Sequence, residues 1–176
     1  MTDEALMEQF CQGDAAAFDA LFSRHAAAIR GYLHKVTGQR SAADDLTQTT
    51  FMSLMRARGR FQRGAKFKPW LYAIATNAAR DWRRRGSHET VTDDGQTPDS
   101  VAEPALLADP GLEKVVRAAL DQLPEAQREA IVLHRFEGLS YAEIAETAGV
   151  TESAVKVRAH RGSEKLRELL KGAWEP

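Results

Sequence analysis

The stretch from Gly138 to Leu170, GLSYAEIAETAGVTESAVKVRAHRGSEKLRELL, constrains the fold most, because it punctuates two short helices and the turn between them. Ser140 is an N-cap residue and Glu143, three positions on, completes a capping box. Tyr141, Ile144, Ala145 and Ala148 then recur at helical spacing, which predicts one apolar stripe ended by Gly149 in a left-handed conformation. Thr151 caps a second helix whose Val155, Ala159, Gly162 and Leu166 face inward. Lys156, Arg158, His160 and Arg161 are left largely outward. A second helix presenting long cationic side chains suits a DNA major groove, since such groups reach phosphates and guanine edges. The plainer alternative is a helical hairpin with a solvated basic face. Capping, turn length and outward charge together favour the DNA reading over it.

Hydrophobic residues make up 43% of the 176, enough for a proper core in one or two small domains. No apolar run is long enough to span a bilayer, and MTDEALMEQF lacks the cationic start and apolar middle of a signal peptide, so a cytoplasmic protein is expected. Cys11 is the single cysteine, which excludes an internal disulfide and argues against a zinc site. The histidines at 25, 34, 88, 134 and 160 are scattered without metal-ligand spacing. No cofactor, metal or catalytic constellation is expected.

The net charge of −1 hides opposed blocks. Two helices, 3–12 around Leu6 and Phe10 and a longer one from the Asp14 cap to Gly38, precede a third that Ser41 is expected to open. In that third helix Leu46, Phe51, Leu54 and Met55 can pack, while Asp44, Asp45 and Gln48 cluster elsewhere. From the residues alone, the acids are more simply explained by the helix N-terminus than by a partner. Between residues 56 and 85 stand ten cations against Asp81 alone, interleaved with Phe61, Phe67, Trp70, Tyr72 and Trp82. Cations mixed with aromatics suit a single strand, by neutralising its backbone and stacking on its bases. Leu71, Ile74, Ala75, Ala78 and Trp82 form the expected core stripe of a helix that Pro69 opens, with Asn77, Arg80 and Arg84 on another face. Phe61 and Phe67, flanking Gly64, are the aromatics expected to be exposed.

Residues 87–111 hold three prolines, six carboxylates and no lysine or arginine, which predicts a flexible acidic linker anchored at most by Leu106 and Leu107. Helical stripes resume at Leu112, Val115, Val116, Ala119 and Leu123, and again after Pro124. The expected architecture is all-α, with helical domains at 1–86 and 112–176 joined by that linker.

Four segments in order extend this reading: ADDLTQTTF at 43–51, FKPWLYAIATNAARDWRRR at 67–85, LDQLPEAQREAIVLHRFEGLSYAEIAETAGV at 120–150, and the basic helix that follows. Together they resemble the extracytoplasmic-function group of bacterial RNA polymerase sigma factors over nearly the whole chain. The resemblance implies that residues 1–86 bind core polymerase, through its beta and beta-prime subunits, using Asp44, Asp45, Leu46, Gln48 and Phe51. It implies that Arg63, Lys66, Phe67, Lys68, Trp70, Asn77, Arg80 and Arg84 meet the melted minus-ten strand, with Asn77 and the 63–67 loop capturing a flipped base. It implies further that Ser140, Thr151, Ser153, Lys156, Val157, Arg158, His160 and Arg161 read the minus-thirty-five duplex. An anti-sigma protein is the additional partner it suggests. Val157 and His160 depart from the family pattern, where a small polar and often a bulkier side chain are expected; Val157 suits a thymine methyl. Three other readings stay open on the residues alone: a regulator binding duplex DNA without polymerase, an RNA-binding adaptor, and a nucleic-acid enzyme, the last lacking any catalytic group.

Overall fold

A computed structural model describes residues 1–86 and 109–174 of the chain, and every regular element among them is helical. Residues 87–108, which hold most of the expected linker including Leu106 and Leu107, lie outside the described residues, as do Glu175 and Pro176.

Local caps set the first elements. Thr2 Oγ1 accepts the Ala5 N–H at 3.1 Å and opens α1 (Asp3–Cys11). Asp14 accepts the Ala16 N–H and opens α2 (Ala15–Thr37), which Gly38 ends at φ +73°. Helix α3 (Arg40–Ala57) begins one residue before Ser41, from Gln39, which makes no side-chain cap bond; Ser41 is therefore inside the helix rather than its cap. A 3-10 turn (Arg58–Arg60) and a loop lead to α4 (Phe67–Arg84). Across the undescribed segment, Asp109 caps α5 (Pro110–Asp121), so Pro110 and Gly111, expected in the linker, form its first turn.

Helix α6 (Glu125–Ile131) runs straight into a π-helical turn (Val132–Phe136), closed by the Glu137 N–H donating to the Val132 carbonyl at 3.1 Å. Ser140 then opens α7 (Tyr141–Ala148), Gly149 ends it at φ +67°, and α8 (Glu152–Trp174) starts from Thr151, whose hydroxyl accepts the Ala154 N–H. The expected helix-turn-helix is present with its caps.

Leu21, Ile29, Leu33, Leu54 and Leu71 are fully buried among α2, α3 and α4, and Leu120, Ile131, Leu133 and Val155 do the same for the second half. Burying each such side chain is worth about 1.5–3 kcal/mol against leaving it exposed. The expected stripe on α4 is displaced: Phe67, Leu71, Tyr72, Ala75, Thr76 and Ala79 are buried, while Ile74, Ala78 and Trp82 are only half-buried. Gly162 matters for packing, since a Cβ there would approach Ile131 Cδ1 to 2.5 Å; glycine lets α8 close onto α6.

The two halves are in contact rather than held apart, and their apolar residues join one continuous cluster. Ion pairs and hydrogen bonds also cross the seam. Lys35 and Glu137 are both buried there, 3.4 Å apart, and Arg128 donates from α6 to the Val36 carbonyl at 2.8 Å.

Candidate nucleic-acid interface

On α8, Val155, Ala159 and Gly162 are buried, while Lys156, Val157, His160 and Arg161 stand exposed, Val157 with 47% of its surface in solvent. Ser153 is also exposed, in the first turn. Two ion pairs on this helix, Lys156 with Glu152 at 3.5 Å and His160 with Glu164 at 3.3 Å, lie in solvent and hold their cations only weakly. Arg158 differs from its neighbours. It is half-buried and lines a cleft against the first half, with Asn77, Arg80, Arg83 and Arg84.

Ser140 and Thr151 already have structural work as caps. Ser140 Oγ accepts the Glu143 N–H at 3.1 Å, and Glu143 Oε1 accepts the Ser140 N–H at 3.0 Å. That backbone donor holds the Glu143 carboxyl below the ordinary glutamate value of 4.5. A depressed carboxyl stabilises the fold above its unfolded pKa and loses that contribution as pH falls through the folded value. Ser140→Ala is expected to cost about 1 kcal/mol at neutral pH. Thermal melts should show both proteins losing the Glu143 contribution as pH falls through the ordinary glutamate range, with the gap between them changing little, because the backbone donor at position 140 survives the substitution; a gap that closes at low pH would contradict this.

In the basic block the structure separates structural from available groups. Phe67, expected to be exposed, is fully buried against His25, Phe61 and Trp70, and its N–H donates to Glu4 at 3.0 Å. Its neighbours Phe61 and Trp70 are half-buried in the same aromatic group, with ring centroids 5.1 Å apart. Arg63 and Lys66 are nearly free of cover, with 91% and 77% of their side chains in solvent. Lys68 donates to the Glu137 carbonyl, Arg80 forks onto Glu129 at 2.7 and 3.2 Å, and Arg84 pairs with Asp81 on its own helix.

Asn77 is exposed midway along α4, and among the described residues its amide has no hydrogen-bond partner. It lines two concavities at once. One is the cleft with Arg158; the other, about 680 Å³, runs between α3 and α4 past Asp45, Leu46, Thr49, Ile74 and Trp82.

The acidic helix divides its pair. Asp44 bonds the buried Arg30 of α2 and so holds α3 in place. Asp45 and Gln48 are exposed, whereas Leu46 and Phe51 are buried and shape the helix from beneath. No acid falls in the first turn of α3, so helix-end electrostatics do not explain Asp45. Beside Phe51, the exposed Phe22, Met52 and Met55 add apolar surface on this side, with the Phe22 and Phe51 rings 4.8 Å apart.

Arg128 was not legible as important. Its guanidinium donates to the Leu120, Asp121, Leu123 and Val36 carbonyls, gathering the end of α5 and the end of α2. Among the described residues there is no group of histidine, cysteine or carboxylate side chains that could hold a metal, and no helix is long and apolar enough to cross a membrane.

The described residues thus combine a capped helix-turn-helix with a separate cationic helix. Comparison with known proteins gives the class. Residues 21–89 match the family model for sigma-70 region 2, and residues 113–166 match that for sigma-70 region 4. The RNA polymerase sigma factor CarQ of Myxococcus xanthus is 44% identical over 168 residues, covering 93% of this chain and 95% of that protein. Among solved structures, CnrH in complex with the cytosolic domain of CnrY aligns with a TM-score of 0.75 at 27% identity, covering 97% of each chain. The sigma factor RpoE in complex with the anti-sigma factor NepR from Bartonella quintana aligns with a TM-score of 0.73 at 31% identity, covering 88% of this chain and 96% of that one. The chain belongs to the extracytoplasmic-function group of RNA polymerase sigma factors, proteins of transcription initiation.

Proposed function

We propose that this sigma factor binds core RNA polymerase through the exposed side of α3, traps the melted minus-ten strand along α4, and reads the minus-thirty-five duplex with α8. The observation that carries the reading is Asn77, an unpartnered amide placed where the α3–α4 groove meets the arginine-lined cleft. An amide both donates and accepts, which arginine and lysine do not, so it can match the pairing edge of an extruded base. Arg80, Arg84, Lys66 and Lys68 lie on or beside the same helix for backbone charge. On α8, Lys156, Val157, His160 and Arg161 share the open side that a major groove would meet.

The separation of the two sites suits a protein that positions a catalytic partner and performs no chemistry itself, working in the cytoplasm with polymerase. An anti-sigma protein is a further expected partner, since the RpoE structure holds one. For the polymerase contact, Asp45 and Gln48 are the exposed polar groups, with Leu46 and Phe51 supporting them.

Asp45→Lys is expected to reduce recovery of core polymerase on the tagged protein by roughly a hundredfold, because like-charge juxtaposition across an interface costs several kcal/mol. Helix content should not change, as Asp45 is exposed and the Arg30 pair belongs to Asp44. Undiminished recovery would remove α3 from the polymerase interface.

A further inference from the structure

Helix α4 begins without a cap of its own. The first N–H groups of a helix have no partner within it, and a nearby acceptor or acid usually supplies one. Here the cap position is Lys66, whose side chain makes no cap bond, Lys68 stands in the first turn, and no acid falls in that turn. Lysine has no acceptor, and two ammonium groups oppose the positive end of the helix dipole. The missing acceptor comes from α1: Glu4 Oε1 accepts the Phe67 N–H at 3.0 Å, across 63 residues of sequence.

Helix α1 also grips the other end of the loop that leads into α4. Cys11 Sγ donates to the Arg58 carbonyl at 3.1 Å, in the 3-10 turn where the loop leaves α3, and the Arg58 guanidinium lies over the Phe10 ring at 5.3 Å. Between these two anchors run residues 61–66, which carry Arg63 and Lys66, both largely in solvent. Asp3 extends the grip: its carboxylate meets His25 at 2.8 Å and Arg24 at 3.0 Å, and the His25 ring packs on Phe67 with centroids 5.3 Å apart. Leu6, Met7 and Phe10 are buried and fix α1 itself in the core. Glu8 reaches Arg63 at 3.7 Å, but that pair is open to solvent and adds little. The match to sigma-70 region 2 begins at residue 21, so α1 lies upstream of it.

We propose that α1 is a brace for the strand-binding loop, with Glu4 as its positioning residue: by capping α4 from outside, it holds residues 61–67 in the shape that receives the melted strand. This rests on the assignment of that loop and α4 to the strand, and it adds a positioning role for a side chain outside the groups assigned to DNA. A loop already held in its binding shape loses less freedom when the strand arrives, so bracing raises affinity without a new contact. No neighbour in sequence can substitute for Glu4, because Gly64, Ala65, Lys66 and Lys68 carry no acceptor side chain. If loss of the cap leaves about one loop in ten in the receptive shape, apparent strand affinity falls about tenfold.

The test uses the full chain and its variants. Glu4→Ala removes the acceptor, Glu4→Gln keeps an acceptor oxygen without the charge, and Asp109→Ala removes a side-chain cap from α5, in the second half and away from the loop. Helix content and a cooperative melt confirm folding. Amide hydrogen exchange of the free protein reads the brace, through the Phe67 N–H and residues 61–66. Permanganate reactivity of thymines in open complexes, formed with core polymerase on a duplex promoter selected from a randomised template pool, reads strand capture. Glu4→Ala should exchange faster over that loop and form roughly tenfold fewer open complexes. Glu4→Gln should recover most of both, and Asp109→Ala should lose stability while keeping wild-type open complexes. Unchanged exchange at Phe67 in Glu4→Ala would overturn the proposal, as would a loosened loop with undiminished open complexes, a loss in Glu4→Gln as full as in Glu4→Ala, or an equal loss in Asp109→Ala. Should Glu4→Ala fail to fold, Glu4→Asp, whose carboxylate falls one methylene short of Phe67, carries the same predictions. Exchange involves no DNA, and run-off transcription by the wild-type protein with core enzyme is measured separately. A failed brace and a failed assignment of function therefore give different results.

Discussion

Arg128→Ala is expected to lower the thermal unfolding midpoint by roughly 6–12 °C. The side chain donates to four main-chain carbonyls, those of Leu120, Asp121 and Leu123 at the end of α5 and of Val36 near the end of α2. Carbonyls at helix ends have no partner in their own helix. Removing the guanidinium leaves several of them unsatisfied in a half-buried corner, at a cost of about 3 kcal/mol. Burial lowers the Arg128 pKa from its ordinary value, and neighbouring Arg83 adds to that, but the group remains a cation at any physiological pH. Lysine should recover only part of the loss, because one ammonium cannot span carbonyls on two helices. Circular dichroism melts of the two variants decide the matter. A shift of less than ~2 °C for Arg128→Ala would mean that water replaces the guanidinium without penalty.

Asn77→Ala is expected to leave the melting temperature nearly unchanged and to reduce open complexes on a duplex promoter roughly tenfold. The first half follows from exposure and from the absence of a partner for the amide among the described residues. The second follows from the ~1–3 kcal/mol that a well-made base-edge contact supplies. Duplex binding through α8 should persist, because Asn77 lies on α4 and none of the exposed groups of α8 depends on it. A pre-melted template should restore part of the lost transcription, since the strand is then already available. Permanganate reactivity of the melted thymines measures the step itself. Unchanged reactivity would take Asn77 out of the strand site.

How much of this was legible in the residues depended on the range of the forces involved. The helix-turn-helix was readable because its determinants are local: Ser140 and Glu143 are three residues apart, and Gly149 and Thr151 bracket a single turn. Of the inward set, Val155, Ala159 and Gly162 followed from periodicity and are buried as expected, whereas Leu166 is half-buried. Phe67 was misjudged because its burial is supplied by His25 and Glu4, more than forty residues away, while its own surroundings in the chain are glycine and lysine. Asp44 and Asp45 are adjacent and alike in sequence, and only the position of Arg30 on α2 gives them different tasks. The ion pairs across the seam were equally hidden. Opposite charge in two segments permits pairing, but which carboxylate reaches which arginine is set by how α6 and α7 lie on α4. Arg128 carried no signal beyond a cation in a short amphipathic helix, since its partners are main-chain carbonyls, which every residue has.

The central claim is that this chain makes core RNA polymerase initiate at promoters, and run-off transcription tests it most directly. Purified core enzyme would be combined with the wild-type protein on a template pool randomised at the minus-thirty-five and minus-ten elements, and the transcripts sequenced. The account predicts transcripts from one fixed start position, drawn from a restricted family of both elements and absent with core enzyme alone. Output no greater than that of core enzyme alone, from a chain that still binds duplex DNA by itself, would contradict it and leave a DNA-binding protein that does not direct polymerase.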